Sequence, residues 1–174
     1  DEVQTGMGRT GHLFGHEAWD VTPDVMTLAK ALGNGYPVGA LLAREDVASV
    51  FVPGNHAYTF GGNPLGMAAG IAVMETLLDG DTLPRCRAMG DRFRSGLESL
   101  KKRRGIIREV RGLGLMTGME LSVPGDDIVV RAMKKGLLIN CTAGNVLRFV
   151  PPFVVTEDDV DEAVRILDGV MGEP

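Results

Sequence analysis

The sequence predicts a chain of the mixed α/β class, and three observations support that class. Short apolar runs that end at a lysine or a glycine are typical of buried strands, and they alternate with longer segments of helical periodicity. Hydrophobic residues make up 44% of the 174 residues and charged residues 24%, the proportions of a globular protein with a substantial core. The 24 glycines, about twice the usual share of roughly 7%, cluster where the backbone has to turn tightly or approach a ligand.

The composition argues against several classes of partner. The net charge is −5 and no stripe of lysine and arginine alternates with aromatic residues, so we expect no nucleic acid partner. Cys86 and Cys141 lie far apart, without the CxxC spacing of a metal site, so we expect neither a metal nor a disulfide. The same cysteine usage makes a reducing cytoplasm the expected location. No apolar run reaches the length of a membrane span and no signal peptide precedes the first residue, so we expect no membrane contact.

The first residues look like the end of a strand without the strand that leads into it. The chain has no initiator methionine, so we expect the numbering to begin inside a longer protein. Residues 6–11 match the G-x-G-x-x-G pattern of dinucleotide-binding proteins. That pattern requires a helix that opens on the glycines, whereas Gly15 and Pro23 interrupt the sequence that follows. A glycine-rich active-site loop or a connector is favoured, and an NAD-dependent dehydrogenase stays as a distant alternative.

Residues 24–30 form an apolar, strand-like run that ends on Lys30, and Gly33 and Gly35 begin a loop after it. A lysine stem that leaves an apolar run can be desolvated, which lowers the pKa of its amine and makes it a nucleophile towards carbonyl groups. Lys30 is therefore a candidate for a lysine that forms a Schiff base. A solvated lysine that only marks the end of a strand is the alternative.

Residues 38–43 predict a second buried strand, and residues 44–51 a short helix. In the loop that follows, residues 58–64 bring together a hydroxyl and two glycines, which can donate hydrogen bonds to an anion. Pro64 suits the first turn of a helix, so a simple helix start is the alternative for this stretch. From Pro64 to about Leu78 the helix is apolar on all sides, which predicts that it is buried.

The pattern changes near residue 80, where we place a boundary between domains at residues 1–80 and 81–174. Residues 82–103 carry apolar side chains at helical spacing between charged neighbours, which predicts an amphipathic surface helix. Thr156 is a good N-cap for a last helix with acidic residues in its first turn. Between these helices we expect strands at 106–111, 115–121, 137–140 and 146–150 and a helix at 126–135.

Three motifs together carry a resemblance to a known family. They are DEVQTGMGRTG at residues 1–11, the run from Pro23 to Lys30, and TFGGNP at residues 59–64. In order and spacing they resemble the class-III pyridoxal-phosphate (PLP)-dependent aminotransferases. The sequence VLRFVPP at residues 146–152, with the TEDD start of the last helix, resembles the acetylornithine and ornithine branch in particular.

The resemblance covers the whole chain but only the C-terminal half of the family's protein. It implies a PLP-dependent transferase of fold type I, with residues 1–80 as the C-terminal part of the large PLP-binding domain and its mixed, mostly parallel sheet. Residues 81–174 would form the small C-terminal α+β domain. The absent N-terminal half would supply the remaining phosphate donors and the aromatic residue that stacks on the cofactor ring, so we expect the chain alone to be inactive.

The resemblance also implies roles for the first residues and for Lys30. Lys30 would bind the aldehyde of pyridoxal 5'-phosphate and carry a proton between substrate and cofactor. Asp1 would keep the pyridinium nitrogen protonated, Val3 would pack under the ring, and Gln4 would hydrogen-bond the ring hydroxyl. Glu2 belongs to the same cofactor-binding stretch, and no metal is implied.

Three further positions imply a dimer and a substrate. Thr59 in this family bonds the cofactor phosphate across a subunit interface, so we expect a homodimer. Arg148 is a candidate for binding the substrate carboxylate, because a guanidinium group can hold a carboxylate with two hydrogen bonds. A structural ion pair is the alternative role for Arg148. The family usually has serine where this chain has Tyr58, a position that borders the substrate, which leaves the amino donor open.

The reaction that the resemblance implies moves the terminal amino group of N2-acetylornithine to 2-oxoglutarate, a step of arginine biosynthesis. Ornithine, succinylornithine, succinyldiaminopimelate and 4-aminobutyrate aminotransferases of the same class are alternatives, because substrate choice depends heavily on the absent half. From other classes, a nicotinamide-dependent dehydrogenase and a noncatalytic module with the same fold stay open.

Overall fold

The computed structural model describes residues 1–172. Contacts between residues divide the chain into two compact units, the first at Asp1–Leu83 and the second from Pro84 onward. The predicted boundary near residue 80 lies close to this division, while the assignment of the two parts to a large and a small domain stays a prediction. In the described part of the chain, no helix combines the length and the apolar character needed to cross a membrane.

The first unit contains two strands and few helices. Its elements are β1 (Val25–Leu28), β2 (Ala40–Ala43), α1 (Glu45–Ala48), α2 (Pro64–Leu78) and 3₁₀ helices at Gly15–Trp19 and Lys30–Leu32. β1 and β2 pair antiparallel, with Val25 opposite Ala43 and Leu28 opposite Ala40. A parallel pair, which would suit the mostly parallel sheet that was predicted, does not form between them because a parallel crossover needs a longer connection.

The sequence predicts a strand end at residues 1–4, and this prediction is wrong. The Glu2 N–H does donate to the Thr27 carbonyl of β1 at 2.9 Å, but the Glu2 carbonyl accepts from the Gly6 N–H at 3.0 Å. That second bond closes a turn, so the chain folds back after one contact with β1. Val3 lies in this turn and not on the face of a strand.

Much apolar surface of the first unit is exposed, which contradicts the prediction. The helix α2 is predicted to be buried on all sides, yet Leu65 is 64% and Leu78 62% exposed. The strand β2 is likewise predicted to be buried, and Leu41 and Leu42 are exposed. Within the described residues of this unit, only one narrow face of α2 meets the core. That core consists of the buried side chains of Met7, Met26, Leu28 and Leu77.

The second unit is built on a four-stranded antiparallel sheet with the order β3-β4-β6-β5. Its elements are α3 (Thr82–Arg103, which begins at the end of the first unit), β3 (Ile107–Leu113), β4 (Met116–Leu121), α4 (Asp126–Lys134), β5 (Asn140–Thr142), β6 (Val146–Phe149) and α5 (Glu157–Gly172). The amphipathic helix predicted at residues 82–103 is confirmed. Buried apolar residues from these helices and strands form one continuous core, which includes Phe93, Leu97, Leu100, Met119, Leu121, Leu147, Val160 and Leu167.

Three local features set the ends and contacts of elements in this unit. β5 begins at Asn140, later than predicted, because the Leu137 N–H still bonds the Ala132 carbonyl at the end of α4 at 2.9 Å. A Cβ at Gly90 would lie 2.1 Å from the Gly114 carbonyl oxygen, so only glycine lets α3 approach the β3–β4 turn. Thr156 caps α5 as predicted, and it also contacts the side chain of an aspartate in the first turn.

The cap of α5 is reciprocal. The Thr156 hydroxyl accepts from the Asp159 N–H at 3.2 Å and donates to the Asp159 carboxylate at 2.6 Å, while the Thr156 N–H donates to the same carboxylate at 2.9 Å. The hydroxyl of Thr156, followed by its N–H, holds the pKa of Asp159 below its usual range. This pattern satisfies N–H groups at the helix start that would otherwise lack an acceptor.

Candidate active site

The carboxylate of Asp1 is fixed at one end of β1. Its Oδ1 atom accepts from the Val3 N–H at 2.8 Å and from the Thr27 hydroxyl at 3.2 Å. The second oxygen, Oδ2, has no hydrogen-bond partner among residues 1–172. Asp1 therefore presents an oriented carboxylate with one oxygen available, and Thr27, which orients it, lies three residues before Lys30 on the same run of chain.

Lys30 has an unusual backbone conformation. Its φ is 47°, in the left-handed region that residues other than glycine rarely adopt. Such a conformation costs about 1–3 kcal/mol and is found mostly at functional sites. The side chain is exposed, and its amine has no hydrogen-bond or ion-pair partner in the part of the chain that the structure describes. The predicted desolvation of the lysine is thus not provided by this chain, because no apolar side chains of the unit cover it.

The loop after Lys30 is tied to the start of α2, a link that sequence reasoning missed. The Tyr36 hydroxyl donates to Asn63 Oδ1 at 3.0 Å. The same oxygen accepts from the Gly66 N–H at 2.7 Å and so caps α2, while the Asn63 side-chain amide donates to the Phe60 carbonyl at 3.0 Å. Asn63 therefore joins the lysine loop to the loop that carries Thr59. Asparagine before a helix predicts a cap, but no local signal pairs it with Tyr36.

Tyr58 and Thr59 lie in an exposed loop directly before α2. The Gly61 N–H donates to the Tyr58 carbonyl at 3.2 Å, and Gly62 has a φ of 66°, so the loop turns twice within a few residues. Neither the Tyr58 nor the Thr59 hydroxyl has a hydrogen-bond partner within residues 1–172. The loop thus offers hydroxyl donors of the kind that an anion requires.

Glu2 is buried, with 6% of its surface exposed. Its carboxylate accepts from the Gly15 N–H at 3.0 Å, from the His16 N–H at 2.8 Å and from the Thr5 hydroxyl. Burial raises the pKa of this carboxyl group, but the three donors outweigh burial, so the pKa of Glu2 lies below its usual range. Both carboxylate oxygens accept hydrogen bonds from other residues of the chain, so the geometry does not favour a direct contact between this side chain and a cofactor.

Val3 and Gln4 are half-buried in the turn that follows Asp1. The glycine-rich loop after them does not open a helix. Gly8 and Gly11 have φ values of 87° and 82°, and the first helical segment is the short 3₁₀ helix Gly15–Trp19. A dinucleotide site needs an α-helix at this place, so the dehydrogenase alternative lacks its main structural element.

Arg148 lies in the second unit, on β6, and lines a cavity of about 630 Å³. The walls of this cavity are mainly apolar, with Leu138, Phe149 and Val154 among them. Arg148 is half-buried as a residue, and its guanidinium group makes no hydrogen bond or ion pair with any described residue. The alternative role of a structural ion pair is therefore not seen within this part of the chain, whereas a free guanidinium group in an apolar cavity can bind a carboxylate.

Comparisons with known proteins identify the family. The family model for class-III aminotransferases matches residues 1–171, and the chain belongs to this family. An acetylornithine aminotransferase from Caldanaerobacter subterraneus subsp. tengcongensis is 55% identical over 174 residues, which are 99% of this chain and 44% of that protein. The chain thus spans less than half the length of this relative.

The solved structures that this chain resembles include aminotransferases. Acetylornithine aminotransferase from Elizabethkingia anophelis gives a TM-score of 0.90 at 38% identity, over 98% of this chain and 44% of that one. An ornithine aminotransferase from Toxoplasma gondii, with partial occupancy of PLP at its active site, gives 0.91 at 35% identity, over 98% of this chain and 42% of that one. The predicted family and fold class are confirmed, and the roles of the individual site residues stay predictions.

Proposed function

We propose that the full-length protein containing this chain is a PLP-dependent aminotransferase that moves the terminal amino group of N2-acetylornithine to 2-oxoglutarate. The observation that carries the proposal is the arrangement around β1. One end of this strand orients the Asp1 carboxylate through Thr27, and the residues that follow it deliver a strained, unpartnered Lys30. The acetylornithine aminotransferase that is 55% identical to the chain supports this choice of substrate. We also infer a cytoplasmic location, as for an enzyme of arginine biosynthesis.

The donors and acceptors present fit pyridoxal phosphate. The available Oδ2 atom of Asp1 can accept from a protonated ring nitrogen, and the Lys30 amine has no competing partner in the described residues. We assign Val3 to the ring face, Gln4 to the ring hydroxyl and Thr59 to the phosphate. When bound, the cofactor supplies an electron sink for the C–H bond beside the transferred amino group.

Lys30 would act in two ways. Its Nζ amine would hold the cofactor at the aldehyde group, and as a free base it would take up the proton from the substrate carbon that bears the amino group and return it to the other side of the reacting system. The left-handed backbone at Lys30 is a strained conformation of the kind found at functional sites, which supports its assignment to the chemistry. Asp1 holds the proton on the ring nitrogen, and the Thr27 hydroxyl keeps its carboxylate in place.

Arg148 would bind a carboxylate of the substrates. This half-buried residue lines a cavity with mainly apolar walls, and its guanidinium group has no partner among residues 1–172. A guanidinium group binds a carboxylate with two parallel hydrogen bonds, and apolar walls suit the methylene groups of ornithine derivatives and of 2-oxoglutarate. The residue is therefore assigned to substrate binding and not to the chemistry at the amino group.

We further propose a homodimer in which Thr59 reaches the cofactor of the neighbouring subunit. The Thr59 loop and α2 support this assignment, because both are exposed and apolar. Phe60 is 72% exposed, and such side chains are usually covered by a partner. Tyr58, beside Thr59, borders the same region and is our candidate for a residue that distinguishes between amino donors.

The proposal is tested by trapping and by a comparison of donors. Borohydride reduction of the full-length protein with pyridoxal phosphate should add one stable phosphopyridoxyl group, and peptide mass analysis should place it on Lys30. Steady-state rates with acetylornithine, ornithine, succinylornithine, succinyldiaminopimelate and 4-aminobutyrate should then rank acetylornithine first. Modification of other lysines alone would refute the site, while a different best donor would change only the substrate.

A further inference from the structure

Glu2 is a buried carboxylate that the proposed chemistry does not use. Its oxygens accept from two backbone N–H groups, at Gly15 and His16, and from the Thr5 hydroxyl. No lysine or arginine among the described residues pairs with it, so hydrogen bonds to neutral donors hold its charge. Hydrogen bonds to a charged acceptor are about twice as strong as neutral ones, which makes Glu2 a firm attachment between the start of the chain and residues 15–16.

The loop is shaped to close around this carboxylate. A Cβ at Gly15 would lie 3.0 Å from Glu2 Oε2, and a Cβ at Gly6 would lie 2.8 Å from the Glu2 carbonyl oxygen. Side chains at either position would push the loop away from Glu2. Gly6, from the glycine-rich motif, and Gly15 thus allow the chain to pack closely against Glu2.

Glu2 also lies next to the carboxylate of the candidate site. Its N–H bonds the Thr27 carbonyl at 2.9 Å, while the Thr27 hydroxyl and the Val3 N–H both bond Asp1 Oδ1. Residues 1–3 are therefore held on one side by β1 and on the other by the loop. If the attachment at Glu2 is lost, the backbone that carries both Asp1 and Val3 loses one of its two supports.

We propose that Glu2 is a positioning residue, which fixes the Asp1 carboxylate for its bond to the ring nitrogen by holding the glycine-rich loop against residues 1–3. The inference rests on the proposed function and deepens its account of that site. It assigns a measurable part in the reaction to a side chain that was predicted only to belong to the cofactor-binding stretch. It also gives a reason for a buried carboxylate that is held by two backbone N–H groups and the Thr5 hydroxyl.

The test uses the full-length protein with pyridoxal phosphate and compares Glu2→Gln with Glu17→Gln. Glu17 is the matched control, because its exposed carboxylate also accepts a loop N–H, from Leu13 at 3.1 Å, but makes no contact with residues 1–3. Loss of charge-assisted bonds in Glu2→Gln should lower kcat about tenfold or more, with KM changed less than about threefold. In Glu2→Gln, the absorption of the bound cofactor should change with a shifted pH midpoint. The dissociation constant of pyridoxal phosphate should rise. Glu17→Gln should match the parent in each measurement.

A purely structural role would lower the melting temperature of Glu2→Gln while kcat and the absorption titration stay at parent values, and that result would overturn the proposal. If Glu2→Gln does not fold, Thr5→Ala removes the hydroxyl that donates to Glu2 and also lies 3.4 Å from the Asp1 carbonyl oxygen. This variant should lower kcat about threefold, as expected for loss of one hydrogen bond. Thr5→Ser, which keeps the hydroxyl, should restore it. Parent kcat in Thr5→Ala would equally refute the positioning role. If the parent protein binds no pyridoxal phosphate, the proposed function itself is refuted, and the proposed role of Glu2 is refuted as well.

Discussion

Ile71 of α2 and Leu97 of α3 have side chains of similar size, but Ile71 is 58% exposed and Leu97 is 0% exposed. The same contrast runs through the two units. The second unit buries apolar residues from three helices and a four-stranded sheet, while the buried core of the first consists of Met7, Met26, Leu28 and Leu77. The second unit thus has within its own residues the layers that its fold requires.

The unit with the smaller core carries most of the candidate site. Of the residues other than glycine with positive φ, four lie in the first unit, at Met7, Asp20, Lys30 and Asn34, and one in the second, at Ala143. Strained backbone persists only where its surroundings fix it, and it is concentrated at functional sites. The comparison teaches that the second unit holds the larger closed core of this chain, whereas the first holds most of the candidate site and leaves more of its apolar surface exposed.

The largest expected effect concerns the lysine. In the full-length protein, Lys30→Ala should lower turnover by at least about 10²–10⁴-fold, because the variant loses its general acid–base catalyst. Without cofactor, its melting temperature should stay near that of the cofactor-free parent, since the exposed side chain makes no contact with the core. Lys102→Ala, at the exposed end of α3, is the control and should keep parent turnover. Steady-state transamination assays measure both, and near-parent rates in Lys30→Ala would refute the assignment.

The contrast in burial leads to a second prediction, for the 174-residue chain alone. Leu97→Ala should lower the free energy of unfolding by about 2–5 kcal/mol, because it opens a cavity in a closed core. Ile71→Ala should change it by less than about 0.5 kcal/mol, as for a surface position. Urea unfolding followed by circular dichroism gives both values. An equal loss in the two variants would show that α2 is covered in solution by another part of the chain or by a second copy.

The difference in burial between the two units explains which predictions from the sequence were correct and which were wrong. The ends of α3 and the cap at Thr156 were predicted correctly, because local pattern and burial agree where the covering layers belong to the same unit. The burial of α2 and β2 was predicted wrongly, since apolar composition says that a helix will be covered but not by which residues. For the candidate site, motifs name Lys30 and Asp1, and the roles of these two residues stay predictions.

Contacts between residues far apart in the sequence have no local pattern that predicts them. Tyr36 bonds Asn63 from 27 residues away, and Glu2 bonds Gly15 and His16 from 13 and 14 residues away. Neither periodicity nor motif spacing reports which side chains will meet after the chain has turned. The predicted strand at residues 1–4 failed for the same reason, because the carbonyl of Glu2 is taken by Gly6 and the chain turns back.

The third prediction, with a smaller expected effect, compares Asp1 beside β1 with an acidic residue elsewhere in the first unit. Asp1→Asn should slow transamination about 10- to 100-fold in the full-length protein, because one charged hydrogen bond to the ring nitrogen is lost. Asp24→Asn is the control, since Asp24 pairs with Arg44 at 2.6 Å on the exposed surface and should change the rate less than about twofold. Single-turnover kinetics distinguish the two, and equal rates in Asp1→Asn and the parent would move the pyridinium role to another residue.

The smallest expected effect is in the second unit, at the cap of α5. Thr156→Ala removes the hydroxyl that accepts from the Asp159 N–H, which should cost about 1 kcal/mol of unfolding free energy, whereas Thr156→Ser should keep most of it. The pH dependence provides a second measurement. Because the pKa of Asp159 is lowered in the folded state, the stability that this shift contributes is present above the ordinary pKa of aspartate and is lost as pH falls through the lowered value. Thr156→Ala removes the largest cause of that shift, so it should lose less stability on acidification than the parent does. The unfolding free energies of parent and variant should therefore converge towards low pH, and a difference that stays constant with pH would show that the Asp159 carboxylate takes no part in the cap.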